Sequence, residues 1–191
     1  MTDDERVARL DAELAGSNAQ VNGPFQIWAL DAQLTDAHLF GISSWADLEF
    51  LMAAGCPVTD SGLASICCFR RLTSLDIGGT AITANAIAAA DLPESLTSLG
   101  LYDLPLTDDA ANRIAQLPEM QMLNCNGCGL SLSSFHRLAE LPKLRGFEAL
   151  GCTVPDDDAR AISRRKPHGL LRLDSGVWRN GDVKRPPANK S

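Results

Sequence analysis

The sequence predicts an α/β solenoid: short parallel strands laddered on one side, short helices on the other, about six to seven turns. Three observations predict it. Five 24-residue units follow one another without a gap. Each unit contains an L-x-L segment that alternates at period 2, as a half-buried strand does. The second half of three units opens on a Thr-Asp pair, and these second halves carry apolar residues three or four apart, as a capped amphipathic helix does.

The elements follow in chain order. Residues 3–16 place Val7, Leu10 and Leu14 at helical spacing behind Asp3 or Asp4 as N-cap, so residues 1–24 read as a capping helix and linker. Phe25 opens FQIWALDAQLT, a degraded unit one residue short just before Leu34, with Thr35-Asp36 starting its helix. Leu48 opens LEFLMAAGCPVT; Thr59-Asp60 and then Leu63, Ile66 and Phe69 mark its helix. Leu72 opens LTSLDIGGTAIT, with Leu72, Leu75, Ile77 and Ile82 at unit positions 1, 4, 6 and 11. Leu96 opens LTSLGLYDLPLT, where Leu99, Leu101 and Leu106 keep that pattern before Thr107-Asp108. Met120 opens MQMLNCNGCGLS, with Phe135, Leu138 and Leu141 on its helix. Leu144 opens LRGFEALGCTVP, and Pro155-Asp156 is a variant helix start. Leu117-Pro118 and Leu141-Pro142 end helices, because the residue before proline disfavours the helical region. His168 opens HGLLRLDSGVW, a second degraded unit in which Leu171 and Leu173 keep the pattern and Trp178 closes the array. The repeat domain is therefore 25–178, and residues 179–191, RNGDVKRPPANKS, read as a disordered basic tail.

One strand and one helix cannot bury their own apolar face, so neighbouring units must bury one another. Position 9 of the unit is small or thiol-bearing, at Cys56, Thr80, Cys128 and Cys152, with Leu104 as the exception. The whole pattern, L-x-x-L-x-L-x-x-N/C-x-L, resembles the leucine-rich repeat proteins. The resemblance is to the cysteine-containing subtype of ribonuclease-inhibitor-like and F-box-associated repeats and of many bacterial proteins, and it covers about residues 25–178. It implies a right-handed solenoid with a parallel sheet on the concave face and helices on the convex face. It also implies a non-catalytic protein–protein interaction module with no cofactor.

The chain also carries residues that elsewhere do chemistry. Cys125-Asn-Gly-Cys128 is a CxxC, which alone points to zinc or thiol redox work. Its register points to packing instead: Cys125 falls on position 6, a core position, and Cys128 on the small position 9. No second CxxC or paired His follows at zinc spacing, so no metal site is expected. The six cysteines are expected as free thiols, although Cys128 and Cys152, one unit apart, could come close enough to bridge. Asp156-Asp157-Asp158 sits at a helix start, where carboxylates favour the dipole. His38, His136 and His168 have no nucleophile at a spacing that marks a triad, and Gly78-Gly79 has no phosphate-loop Lys-Ser or Lys-Thr after it. No enzyme is expected.

Charge narrows the partner. The net charge is −7 with a pI near 4.9, which argues against nucleic acid. Residues 1–159 hold 22 acids against 8 bases, while residues 160–191 hold 9 bases against 2 acids. No apolar run approaches the roughly 18 residues of a membrane span, and the acidic start resembles no signal or transit peptide. The expected location is cytoplasmic, with a non-classically secreted effector as an alternative.

The candidate site is the strand face turned away from the core. One row reads Ala29, Met52, Asp76, Gly100, Asn124, Glu148 and Arg172. The flanking rows contribute Ile27, Phe50, Ser74, Ser98, Met122 and Leu170, and then Asp31, Gly78, Tyr102, Asn126 and Leu150. No packing rule requires large groups to point outward at Phe50, Met52, Tyr102 and Met122, which makes them candidate contacts. Asp76, Asn124, Asn126 and Glu148 are candidate polar selectors, and the acidic body favours a partner with a basic patch. The function expected is protein binding through the concave face. The alternatives are an effector or ubiquitin-pathway substrate adaptor, and a structural scaffold anchored by the basic tail.

Overall fold

The computed structural model describes residues 2–166 and 169–185. Seven strands form its parallel ladder: β2 (Gln26–Trp28), β3 (Phe50–Met52), β4 (Ser74–Asp76), β5 (Ser98–Gly100), β6 (Met122–Asn124), β7 (Gly146–Glu148) and β8 (Leu170–Leu173). Each pairs with the next in chain order, and partner residues differ by 24 in number throughout. Between successive strands lie α2 (Asp36–Gly41), α3 (Asp60–Ile66), α4 (Ala84–Ala89), α5 (Asp108–Ile114), α6 (Leu132–Ala139) and α7 (Asp156–Arg165). The chain is an α/β leucine-rich repeat solenoid, as its periodicity predicts.

The core sits between strands and helices. Leu51, Leu75, Leu99 and Leu123, the central strand residues, are at most 1 % exposed, and Ile66, Ile87, Ile114 and Leu138 meet them from the helices. The short helices are held by their starts. Thr59, Thr83, Thr107 and Ser131 each accept a backbone N–H of the first turn. Where an aspartate opens the helix, as at Asp36, Asp60 and Asp108, it does more than complement the helix dipole. Asp36 accepts from Thr59 N (2.9 Å) and Thr59 Oγ1 (2.5 Å), one unit on, and Asp60 repeats this with Thr83 (2.7 and 2.9 Å). Asp108 accepts from Ser131 Oγ (2.6 Å) and Ser134 Oγ (2.5 Å), which holds its carboxyl below the usual range. The Thr-Asp pair is thus both a cap and a tie between turns.

The register of the first unit differs from the sequence reading. Gln26 pairs with Phe50, Ile27 with Leu51 and Trp28 with Met52, so Pro24, not Phe25, is position 1 and no residue is missing before Leu34. Ile27 and Ala29 therefore face the core, at 0 % and 1 % exposure, and do not belong to the outer rows. Gln26 and Trp28 take their places, and Leu30 takes that of Asp31. Asp31 instead occupies position 8, where the backbone turns left-handed (φ 50°), as Gly55, Gly79, Asp103, Gly127 and Gly151 do in later units.

Both ends are closed. α1 (Asp3–Glu13) is capped by Thr2, not by Asp3 or Asp4, in a reciprocal box with Glu5; it buries Leu10, and its C-cap Leu14 is buried too. The guanidinium of Arg6 lies 5.2 Å from the rings of both Phe25 and Trp45 and pairs with Asp47 at 3.2 Å, pinning the helix to the first unit. β1 (Gln20–Val21) adds antiparallel to β2.

At the far end the chain turns back on itself. β9 (Gly176–Arg179) pairs antiparallel with β8, and β10 (Asp182–Lys184) with β9. Ordered strand thus continues into the stretch expected to be disordered from residue 179, because the Asn180-Gly181 turn, with both residues at positive φ, lets the edge close as a hairpin. Residues 186–191, the rest of that expected tail, and His168 lie outside the described residues. In earlier turns the position-8 N–H donates to a carbonyl of the next unit, as Gly127 N does to Leu150 O (2.9 Å). In the last turn Gly151 N donates instead to the Asp174 carboxylate (3.1 and 3.0 Å).

The thiols follow the register. Cys56 Sγ donates to Ala29 O (2.6 Å) and Cys128 Sγ to Leu101 O (3.1 Å), each in the preceding unit, and Cys152 Sγ lies 3.4 Å from Leu130 O. Cys125 is 1 % exposed, and a hydrogen bond with Cys128, then burial, push its thiol well above the ordinary value. Only Cys68 of the six is exposed. A thiol-reactive chromogenic disulfide is expected to label one cysteine per native chain rapidly and the other five only after denaturation. Rapid native labelling of two or more would show the ladder to be open.

Candidate functional site

Period-2 alternation on three-residue strands sends positions 3, 5 and 7 of each unit to the face opposite the helices. All eight residues expected at the site lie there: Phe50 and Met122 at position 3, Met52, Asp76, Asn124 and Glu148 at position 5, Tyr102 and Asn126 at position 7. Six of them, Phe50, Met52, Asp76, Met122, Asn124 and Glu148, line one open depression of about 280 Å³. Its floor is made by Ser74, Ser98 and Gly100, residues with little or no side chain on the two central strands. Phe50 and Met52 wall one side; Met122, 49 % exposed, walls the other.

Tyr102 and Asn126 stand beside the depression, outside its lining. The Tyr102 ring lies flat over Gly78, where any Cβ would collide with it. Burial, and then the negative charges of Asp76 and Asp31, push its hydroxyl up. Asn126 is engaged at both ends: Nδ2 donates to Glu148 Oε2 (3.0 Å) and Oδ1 accepts from Leu150 N (2.8 Å). It positions Glu148, which also meets Arg172 at 3.7 Å. Asp76 and Asn124, two units apart, make the same local bond, each accepting from the N–H two residues on at 3.0 Å. Asp76 is part-buried and belongs to no ion pair among the described residues. Burial raises its carboxyl, and the Gly78 N–H offsets only part of that.

Sequence reasoning missed Trp28. It is 39 % exposed and stacks on Phe50, with ring centroids 4.6 Å apart and planes 28° from parallel. Leu30, 57 % exposed, continues this apolar end of the face. The signal that could have found them is the helix start: Thr35-Asp36 stands 24 residues before Thr59-Asp60, which places position 1 at Pro24 and Trp28 in the column of Met52. Among the described residues no helix is long and apolar enough to cross a membrane, and no group of three or more His, Cys, Asp or Glu is set to hold a metal ion.

Neither a protein-family model nor a curated protein matches the chain. Among solved structures it is similar to an internalin, InlF, of Listeria monocytogenes strain 4b F2365, at 19 % identity and a TM-score of 0.57, covering 90 % of this chain and 50 % of that one. It is also similar, at 16 % identity and a TM-score of 0.46, to a chain of the octameric complex of latrophilin 3, Unc5D and the leucine-rich repeats of FLRT2, covering 78 % of this chain and 47 % of that one. The chain thus spans about half the length of each. The first likeness shows the leucine-rich repeat fold; the second, with so low a score, adds nothing to that.

Proposed function

Starting from a leucine-rich repeat fold whose outer sheet face holds a lined depression, we propose that this chain is a non-catalytic module that binds a protein partner through its concave face. The observation that carries the reading is the outward placement of large groups where the fold needs none: Trp28, Phe50, Met52 and Met122 on one face, around a polar centre. Exposed aromatic and methionine side chains grouped this way mark contact surfaces. A hydrogen-bonded sheet is already rigid, so little ordering entropy opposes binding. The acidic body favours a partner with a basic patch and an on-rate that falls as salt rises. We place the chain in the cysteine-containing repeat subtype, supported by the thiol-to-carbonyl bonds of Cys56 and Cys128.

The test is a paired capture from the native lysate with the wild-type chain and a Tyr102→Ala/Glu148→Lys double variant. The partner bound by the wild type is expected to lose about tenfold or more in affinity for the variant. Unchanged affinity would rule out the concave face.

A further inference from the structure

We propose that the depression on the outer sheet face holds one cationic side chain, arginine or lysine, of the protein partner, between the Phe50–Met52 wall and Met122, with Asp76 as its counter-charge. This rests on the protein-binding reading above and names what that site selects.

The shape sets the size of the occupant. Neighbouring strands lie about 4.8 Å apart, so β3 and β6, which carry the walls, are roughly 14 Å apart. The two strands between them line it with Ser74, Asp76, Ser98 and Gly100, and with Leu75 and Leu99, which are 1 % exposed and fill no part of it. A flat partner surface would bridge the walls and leave the floor empty, whereas a single long side chain reaches it. The Asp76 carboxylate leans over Gly100, where any Cβ would collide with it, so it lies along that floor.

Charge then selects among long side chains. Asp76 is a part-buried carboxylate with one hydrogen-bond donor, Gly78 N, and no cation beside it among the described residues. An apolar occupant would strip its remaining water and leave the charge unpaired; an acidic one would set like charges together. A guanidinium or ammonium group pairs with it instead. Glu148, at the far rim, already shares Arg172 and Asn126, so Asp76 is the uncompensated charge of the depression. The Trp28–Phe50 stack adds an aromatic wall, on which a cation with an aliphatic stem packs better than a carboxylate does. Met122 lines the opposite side with its methyl end turned out over Gly146 of β7, and its unbranched chain can swing to adjust to either stem.

The experiment measures binding of the full chain to hexapeptide pools with Arg, Lys, Leu or Glu fixed at the third position and the other positions randomised. The Arg and Lys pools are expected to bind about tenfold more tightly than the Leu pool, and the Glu pool not at all. Asp76→Asn keeps the shape and the acceptor for Gly78 N, and should bring the Arg and Leu pools to within about twofold of each other. Ser98→Trp fills the depression and should abolish binding of the Arg pool; thermal unfolding of both variants checks that they fold. Leu-pool binding equal to Arg-pool binding, and lost in Ser98→Trp, would overturn the cationic occupant while leaving the concave face standing. Arg-pool binding that survives Ser98→Trp would place the cation elsewhere on the acidic surface and overturn the occupant. No binding by any pool overturns the occupant alone, since the lysate capture decides the face separately. If Ser98→Trp does not fold, the Asp76→Asn comparison decides by itself.

Discussion

Leu99→Asp is expected to abolish cooperative folding. Leu99 is 1 % exposed on the central strand β5, paired with Leu75 on one side and Leu123 on the other, both equally buried. A carboxylate there would have neither water nor a cation, a cost of several kcal/mol against a total stability of about 5–15 kcal/mol for a domain. The position matters as much as the chemistry. In a stack each unit is stabilised by its neighbours, so a break at β5 divides the array into two pieces of about three units, each with a newly exposed apolar end. The milder Leu99→Ala should cost about 2–5 kcal/mol, from lost transfer energy and the cavity left behind. Urea unfolding followed by far-UV circular dichroism reads both. A wild-type transition for Leu99→Asp would mean that the 24-residue register is wrong.

Trp178→Ala should destabilise the chain by about 3–5 kcal/mol, with the loss starting from the C-terminal end. Trp178 is fully buried although it stands on β9, after the last parallel strand. Its Nε1 donates to Ser175 Oγ (3.0 Å), and the guanidinium of Arg160 from α7 lies 5.6 Å from its ring. β9 pairs with β8 on one side and β10 on the other, so the indole joins the hairpin to the last unit. Without it the apolar end of the stack opens to water, the situation that terminal caps of repeat proteins prevent. Hydrogen exchange should show protection falling first in residues 146–185, with 50–124 protected until global unfolding. Uniform loss across the chain would show that the hairpin does not act as a seal.

The array was legible because its signal is redundant. Leu75, Leu99 and Leu123 state the same rule three times, so one deviation cannot hide it. The first unit was harder, because Pro24 fills the position where the next five units place Leu or Met. Anchoring on Phe25 moved the outer columns by one residue, and at period 2 that exchanges the two faces. That puts Ile27 and Ala29 in the outer columns, which the ladder gives to Gln26 and Trp28. Near the C-terminus, composition pointed to a loose basic segment, while the Asn180-Gly181 turn between Trp178 and Val183 carried the hairpin. The eight expected site residues all reach the outer face, since alternation fixes direction. How they settle there depends on what lies beneath: Tyr102 reclines because Gly78 leaves it room, and Asp76 leans because Gly100 does. Such pairings cross between units and have no trace in the periodicity of a single one.

The constant offset of 24 between paired residues has a metrical consequence. Identical columns recur every 4.8 Å or so along the sheet, while an extended polypeptide advances about 3.3 Å per residue. Three residues of such a polypeptide laid across the strands therefore keep step with two units, as on a vernier scale. Phe50, Ser98 and Gly146 would then meet every third residue of whatever lies against them.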